Sequence, residues 1–69
     1  MSNKVLVVAN MYAEVVDIVS EYSLYDWKFI HSEYQLKGVE GLEYIIHPEY
    51  VGIDLLPTLE ERRCVPFEQ

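Results

Sequence analysis

The sequence has only one cysteine and no long apolar run, and each of these facts excludes a class of protein. With Cys64 alone, no intrachain disulfide can form, which is typical of a reducing compartment. Arg62 and Arg63 precede this thiol, but no residue is identifiable as its base, so we expect a buried or inert cysteine. No apolar run approaches the roughly 20 residues of a transmembrane helix, and none forms a signal peptide. We therefore predict a soluble, cytoplasmic protein with no membrane partner.

Basic residues are also scarce. Five lysines and arginines stand against twelve acidic residues, which gives a net charge of −7. Direct binding to nucleic acid depends on neutralising phosphates and needs the opposite sign. The acidic balance instead favours a partner with a basic surface.

Glycine is missing from the position where a phosphate-binding loop would need it. The first apolar run is followed by residues 9–13, Ala-Asn-Met-Tyr-Ala, with neither glycine nor lysine. Dinucleotide and P-loop sites need glycines there so that the backbone can approach the phosphates. This excludes a conventional NTPase, kinase or dehydrogenase. No Ser-His-Asp arrangement or carboxylate pair stands out either, so we predict no catalytic residue, no cofactor, no metal centre and no enzyme activity.

The dominant feature that is present is the apolar run inside Lys4–Asn10. Val5 to Val8 and then Ala9 are uninterrupted and mostly β-branched. A half-buried strand would alternate apolar with polar residues, so this pattern predicts a strand covered on both faces, as in a parallel α/β sheet.

A helix is predicted next, from Met11 to Tyr22 with Asn10 as its N-cap. Its expected apolar stripe is Tyr12, Val15, Val16, Val19 and Tyr22.

Further elements alternate along the remaining chain. We predict a strand at Trp27–Ile30, a short helix after the capping box Ser32–Gln35, a strand at Leu42–Ile46, a helix from Asp54 to about Cys64, and a tail at Val65–Phe67. Strands interleaved with helices imply parallel pairing and right-handed crossovers. The prediction is one domain over residues 1–69, with βαβαβα connectivity, strand order 2-1-3 and helices on both faces.

This pattern resembles half of a Rossmann-like or flavodoxin-like domain. It also resembles small bacteriophage proteins whose reduced nucleotide-binding fold has lost its phosphate loop. The resemblance includes the Leu-Lys-Gly turn at Leu36–Gly38 and the Glu-Glu-Arg-Arg sequence that ends the last helix. It implies a fold and a phage origin, and it transfers no functional residue.

Polar residues follow each predicted strand. Asn10, His31 and His47 come directly after the three strands, and Glu49 follows shortly. The carboxyl ends of parallel strands share one edge, where open α/β sheets bind ligands. These four residues are candidate ligand-binding residues, although the two histidines, about 10 Å apart in order 2-1-3, are too distant to share one zinc. The alternative is that they are ordinary turn residues.

Aromatic residues exceed what so small a core can bury. Of six tyrosines, Tyr25, Tyr34 and Tyr50 fall in turns or a short helix, and tyrosine is enriched at protein interfaces. Together with the acidic row Glu14, Asp17 and Glu21 on the first helix, they are candidate partner-binding residues. The first hypothesis is thus a non-catalytic protein, such as a phage-encoded inhibitor, that occupies a protein partner. The alternatives are a small-ligand or metal-binding domain and a DNA mimic.

The third strand is predicted to be a sheet edge. After Glu43, its residues Tyr44, Ile45 and Ile46 have no charge, and an apolar edge favours pairing with another chain. We therefore predict a homodimer through this strand or through the helix beside it.

Overall fold

A computed structural model describes residues 4–67 of the chain. Its elements are β1 Val5–Val8, α1 Tyr12–Tyr22, β2 Trp27–Ile30, a 3₁₀ helix Glu33–Leu36, β3 Glu43–Ile46, α2 Leu56–Glu61 and β4 Val65–Pro66. The α/β class is confirmed.

The sheet differs from the prediction in its number of strands. It is fully parallel in the order β2-β1-β3-β4, so the predicted three-stranded sheet of order 2-1-3 was wrong. The fourth strand comes from the segment predicted as a tail. Val65 N donates to Leu42 O at 3.0 Å and Phe67 N to Tyr44 O at 2.9 Å, so the backbone of Pro66 faces outward. A missing N–H there costs no sheet hydrogen bond, which is why a proline is tolerated in this strand.

β1 lies at the centre of the fold and is buried along its whole length. Val7 and Ala9 pack with α1 on one face, and Leu6 and Val8 pack on the other with the 3₁₀ helix and α2. The predicted coverage of both faces is therefore confirmed. Cys64 is buried in the second of these clusters.

α1 forms where predicted, but the residues that pack against the sheet are not those of the predicted apolar stripe. Its fully covered residues are Val15 and Ile18, whereas Tyr12 and Val16 are exposed. The predicted stripe followed the spacing of the apolar residues and omitted Ile18, which lies one turn from Val15 on the same side. The helix ends at Ser23, whose left-handed backbone (φ 53°) directs its N–H back to the carbonyls of the last turn.

Two predicted helix starts were wrong in detail. The N-cap of α1 is Met11, without a side-chain cap bond, because the Asn10 amide is bound to another loop. The N-cap of α2 is Leu55, and Asp54 instead accepts the N–H of Leu56 at 3.0 Å. The helix then ends at Glu61, short of the predicted end at Cys64.

The outer edge of β2 is blocked by a side chain. Ile30 O accepts the N–H of Ala9 on β1, so the alternation of a parallel strand turns Phe29 O and His31 N outward. Gln35 Nε2 donates to Phe29 O at 3.1 Å, and Gln35 Oε1 accepts from His31 N at 2.6 Å. The carboxamide thus replaces a neighbouring strand over these groups. The predicted capping box supplies the geometry, since Ser32 N also donates to Gln35 Oε1, at 3.2 Å.

β3 is not the open edge that the sequence predicted. β4 pairs with it at Glu43 and Tyr44, and Ile45 packs into the core beneath α1. Over this part of β3 the backbone is already paired with β4, so it is not open for pairing with the strand of a second copy. Packing through the adjacent helix α2 is unaffected, and the homodimer stays a prediction.

No helix within residues 4–67 is long and apolar enough to cross a membrane; the longest has 11 residues.

We predict that Val7→Asp abolishes folding. Val7 is completely buried in β1, and an unpaired carboxylate there should cost roughly 3–5 kcal/mol or more, against a total stability of about 5 kcal/mol for a domain of this size. The measurement is a thermal melt followed by circular dichroism. Val16→Asp is the matched control, because Val16 is exposed on α1, and it should retain a cooperative melt. A parental melt for Val7→Asp would contradict the central position of β1.

Candidate functional site

The carboxyl edge of the sheet, where β1, β2 and β3 end, brings together three of the four residues predicted there. Asn10, His47 and Glu49 lie in contact, and Glu14 joins them from the first turn of α1. His31 is not part of this group. The sequence assigned Glu14 to an exposed acidic row, yet α1 leaves β1 at this same edge, and that fact could have placed Glu14 beside His47.

Asn10 uses its amide to hold the loop after β3. Its Nδ2 donates to Glu49 O at 2.8 Å, and its Oδ1 accepts from Val51 N at 3.1 Å. These reciprocal bonds resemble those of a neighbouring strand, so a single side chain substitutes for sheet pairing beyond the end of β1. Both the oxygen and the nitrogen of the Asn10 amide therefore hold the backbone of this loop, and a ligand-binding role for Asn10 stays a prediction.

Glu14 and His47 face one another with little access to water. Their side chains are only 13% and 11% exposed, and Glu14 Oε2 lies 3.8 Å from His47 Nδ1. That nitrogen accepts the N–H of Glu49 at 3.1 Å, which is the shorter contact and uses the ring's lone pair. At 3.8 Å the Glu14 oxygen and the His47 nitrogen are beyond hydrogen-bond distance of one another. Glu14 is anchored by its other oxygen, Oε1, which accepts from Asn10 N at 2.8 Å.

His31 lies at the end of β2 in a separate environment. Its backbone N–H is taken by Gln35, and its ring packs on Phe29 with a centroid separation of 5.2 Å. Within residues 4–67 it belongs to no set of three metal-ligating side chains. The structure therefore separates His31 from His47 and from the other residues at the carboxyl edge.

The candidate partner-binding tyrosines are distributed over different surfaces. Tyr25 and Tyr34 are 95% and 88% exposed, whereas Tyr50 is half-buried and packs on the core. The Tyr50 hydroxyl donates to Ile53 O at 2.7 Å. Its ring lies so close to Gly52 that a Cβ on that residue would come within 2.6–2.9 Å of it. Tyr50 and Gly52 thus shape the loop after β3.

Tyr34 lines an open groove between the 3₁₀ helix and α2, with a volume of about 520 Å³. The other lining residues are Glu33, Lys37, Thr58, Glu61 and Arg62. Thr58 Oγ1 already donates to Glu33 Oε1 at 3.1 Å, and the four charged side chains are two of each sign. The groove therefore has no net charge that would select a charged ligand.

Comparison with models of protein families, with curated proteins and with solved structures finds no match for this chain. The resemblance to small bacteriophage proteins stays a prediction.

Sequence reasoning missed the exposed apolar residues at the carboxyl edge. Met11, Val51 and Ile53 are 56%, 86% and 69% exposed. Met11 follows Asn10, and the Asn10 amide bonds directly to Val51 N, so the two loops that hold these residues lie side by side. We call residues 10–11 and 49–54 the edge loops. Nothing in the composition distinguishes an apolar loop residue that will be exposed from one that will be covered.

We predict that Asn10→Ala and Gln35→Ala each release their own backbone groups. Losing two hydrogen bonds at Asn10, or three at Gln35, should cost about 1–3 kcal/mol and accelerate exchange of the released amide roughly tenfold or more. The measurement is hydrogen exchange followed by NMR. The Val51 amide should respond to Asn10→Ala only, and the His31 amide to Gln35→Ala only, so each variant is the control for the other. Equal responses of both amides in both variants would mean global destabilisation instead.

Proposed function

We propose that this protein binds a macromolecular partner, a protein with a basic surface, and acts by occupying it without catalysis. The observation that supports this most directly is the set of three exposed apolar side chains on the edge loops, Met11, Val51 and Ile53. Single exposed apolar residues are ordinary, but several on adjoining loops form the kind of patch that marks a protein interface.

The edge loops are also held in place before any partner arrives. Asn10 bonds both Glu49 and Val51, and Tyr50 bonds Ile53 while it packs on the core. Ordering a mobile loop would oppose binding by about 0.5–1.5 kcal/mol for each immobilised side chain. Because hydrogen bonds already order this loop on both sides of Val51, binding requires less loss of conformational entropy.

Charge favours a basic partner over a second acidic one. The chain has a net charge of −7, and Glu49 and Asp54 are exposed in the same loop as Val51 and Ile53. Acidic groups around an apolar centre accelerate association with a basic surface and disfavour acidic competitors.

The DNA-mimic alternative receives no such support. It requires a row of exposed carboxylates spaced like phosphates, and the sequence offered Glu14, Asp17 and Glu21. Asp17 and Glu21 are exposed, but Glu14 is turned toward His47 and bonded to Asn10 N. Two carboxylates one turn apart are ordinary on a helix surface.

We predict that the double variant Val51→Ser, Ile53→Ser weakens partner binding at least tenfold while the fold is retained, because both residues are exposed. The measurement is capture from a lysate of the encoding organism, then titration of the purified partner. Val65→Ser is the matched control, since Val65 is an exposed apolar residue on β4, away from the edge loops. A partner that binds the double variant as tightly as the parent would contradict this assignment of the surface.

The predicted homodimer is tested by sedimentation of the pure chain at micromolar concentration. A species of about 16 kDa, twice the 8.1 kDa of one chain, would identify a second copy as a partner. A monomer of 8.1 kDa would contradict the homodimer and leave only a foreign partner.

A further inference from the structure

We propose that Glu14, His47 and Glu49 form a binding site for a first-row divalent cation of the Zn²⁺ type. Their ligand atoms all lie within 4.8 Å of one another. The inference rests on a different observation from the proposed function, the spacing of these ligand atoms, although Glu49 also belongs to the edge loops. The site does not require His31 and His47 to share one zinc ion, which the spacing of the strands excludes. Here Glu14, and not His31, lies beside His47.

The donor set selects the class of cation. One imidazole with two carboxylates is a combination that binds zinc and its neighbours in the first transition row, whereas Mg²⁺ and Ca²⁺ prefer oxygen donors alone. Bonds of about 2.0–2.2 Å in tetrahedral geometry hold ligand atoms roughly 3.3–3.5 Å apart. Closing from 4.8 Å therefore requires a shift of about 1.3–1.5 Å, which the exposed Glu49 side chain can make.

Electrostatics at the site favour a cation. The two carboxylates are negative, and His47 brings its Nδ1 to 3.8 Å from Glu14 Oε2; this nitrogen accepts the N–H of Glu49, a hydrogen bond that a cation at Nδ1 would replace. Within residues 4–67, no lysine or arginine forms an ion pair with Glu14 or Glu49. Glu14 and His47 are also largely shielded from water, which strengthens their attraction for a cation.

Glu14 and Glu49 are each positioned by a contact that leaves a carboxylate oxygen available, and His47 is positioned by its backbone. Glu14 is held through Oε1, which leaves Oε2. His47 is fixed at the end of β3 by its backbone N–H, which donates to Val8 O at 2.9 Å. Glu49 is held through its carbonyl by Asn10, which leaves its carboxylate. Such outer contacts orient ligands in established metal sites.

The affinity should be moderate. Only three side chains contribute, and the positive end of the α1 dipole opposes a cation near the first turn. We expect a dissociation constant on the order of 10 µM for Zn²⁺, weaker than that of a four-ligand structural site. Three protein ligands leave at least one coordination position for water or for a group of another molecule.

The test is calorimetric titration of the full chain, with its purification tag removed, with Zn²⁺ alone. His47→Ala and Glu49→Gln should each weaken binding at least tenfold. His31→Ala is the matched control and should remain within twofold of the parent, because it removes the other strand-end histidine. Glu49→Gln keeps the proposal testable if His47→Ala fails to fold, since Glu49 is exposed and its carbonyl bond to Asn10 remains.

A second measurement identifies the ligands directly. Zinc should shift the ring resonances of His47 and leave those of His31 unchanged, and Co²⁺ should give the visible absorption of a site with nitrogen and oxygen donors. The proposal is overturned if no binding occurs up to 1 mM zinc, if His31→Ala weakens binding as much as His47→Ala does, or if Glu49→Gln has no effect. Binding to an unidentified partner is unaffected by any of these outcomes, so the two proposals fail separately.

Discussion

The complete burial of β1 is the constraint on which the rest of the structure depends. A strand whose two faces are both apolar is stable only if separate layers cover it, and the chain is long enough to supply one layer on each side. Placing α1 on one face and α2 on the other requires β2 and β3 to flank β1. The same parallel arrangement brings the ends of all three strands to one edge, where Asn10, His31 and His47 lie. The candidate site is therefore a consequence of how the core is covered.

A four-residue strand leaves many backbone groups near its ends without a partner, and two amide side chains satisfy them here. Asn10 bonds the loop after β3, and Gln35 bonds the outer side of β2. A carboxamide has one donor and one acceptor at about the spacing of a strand's N–H and C=O, so it can pair with backbone where no strand is present. Charged side chains at these positions could satisfy only one of the two groups. This explains why amides, rather than carboxylates, occur there in so acidic a chain.

The sequence predicted those features that depend on local pattern. The run at Val5–Val8, the helix before Tyr22 and the capping box at Gln35 each specify structure within a few residues, and all three occur in the fold. The prediction failed where a long-range contact decides the outcome. β4 exists because residues far apart in sequence exchange backbone hydrogen bonds, and no spacing indicates that. The proximity of Glu14 to His47, 33 positions along the chain, likewise depends on the pairing of β1 with β3.

Four boundaries of the sheet, its two faces and its two outer strands, are already covered or blocked, which leaves the carboxyl edge as the place where function can be added. The two faces are packed against helices, the outer side of β2 is occupied by Gln35, and β4 presents Pro66, which has no N–H to offer. The exposed side chains of the loops at the carboxyl edge, such as Val51 and Ile53, are not part of the core, so they can vary without loss of the fold. The exposed apolar residues and the group of metal-type ligands occur together because the parallel strands end at this one edge, which the helices that cover the two faces leave open.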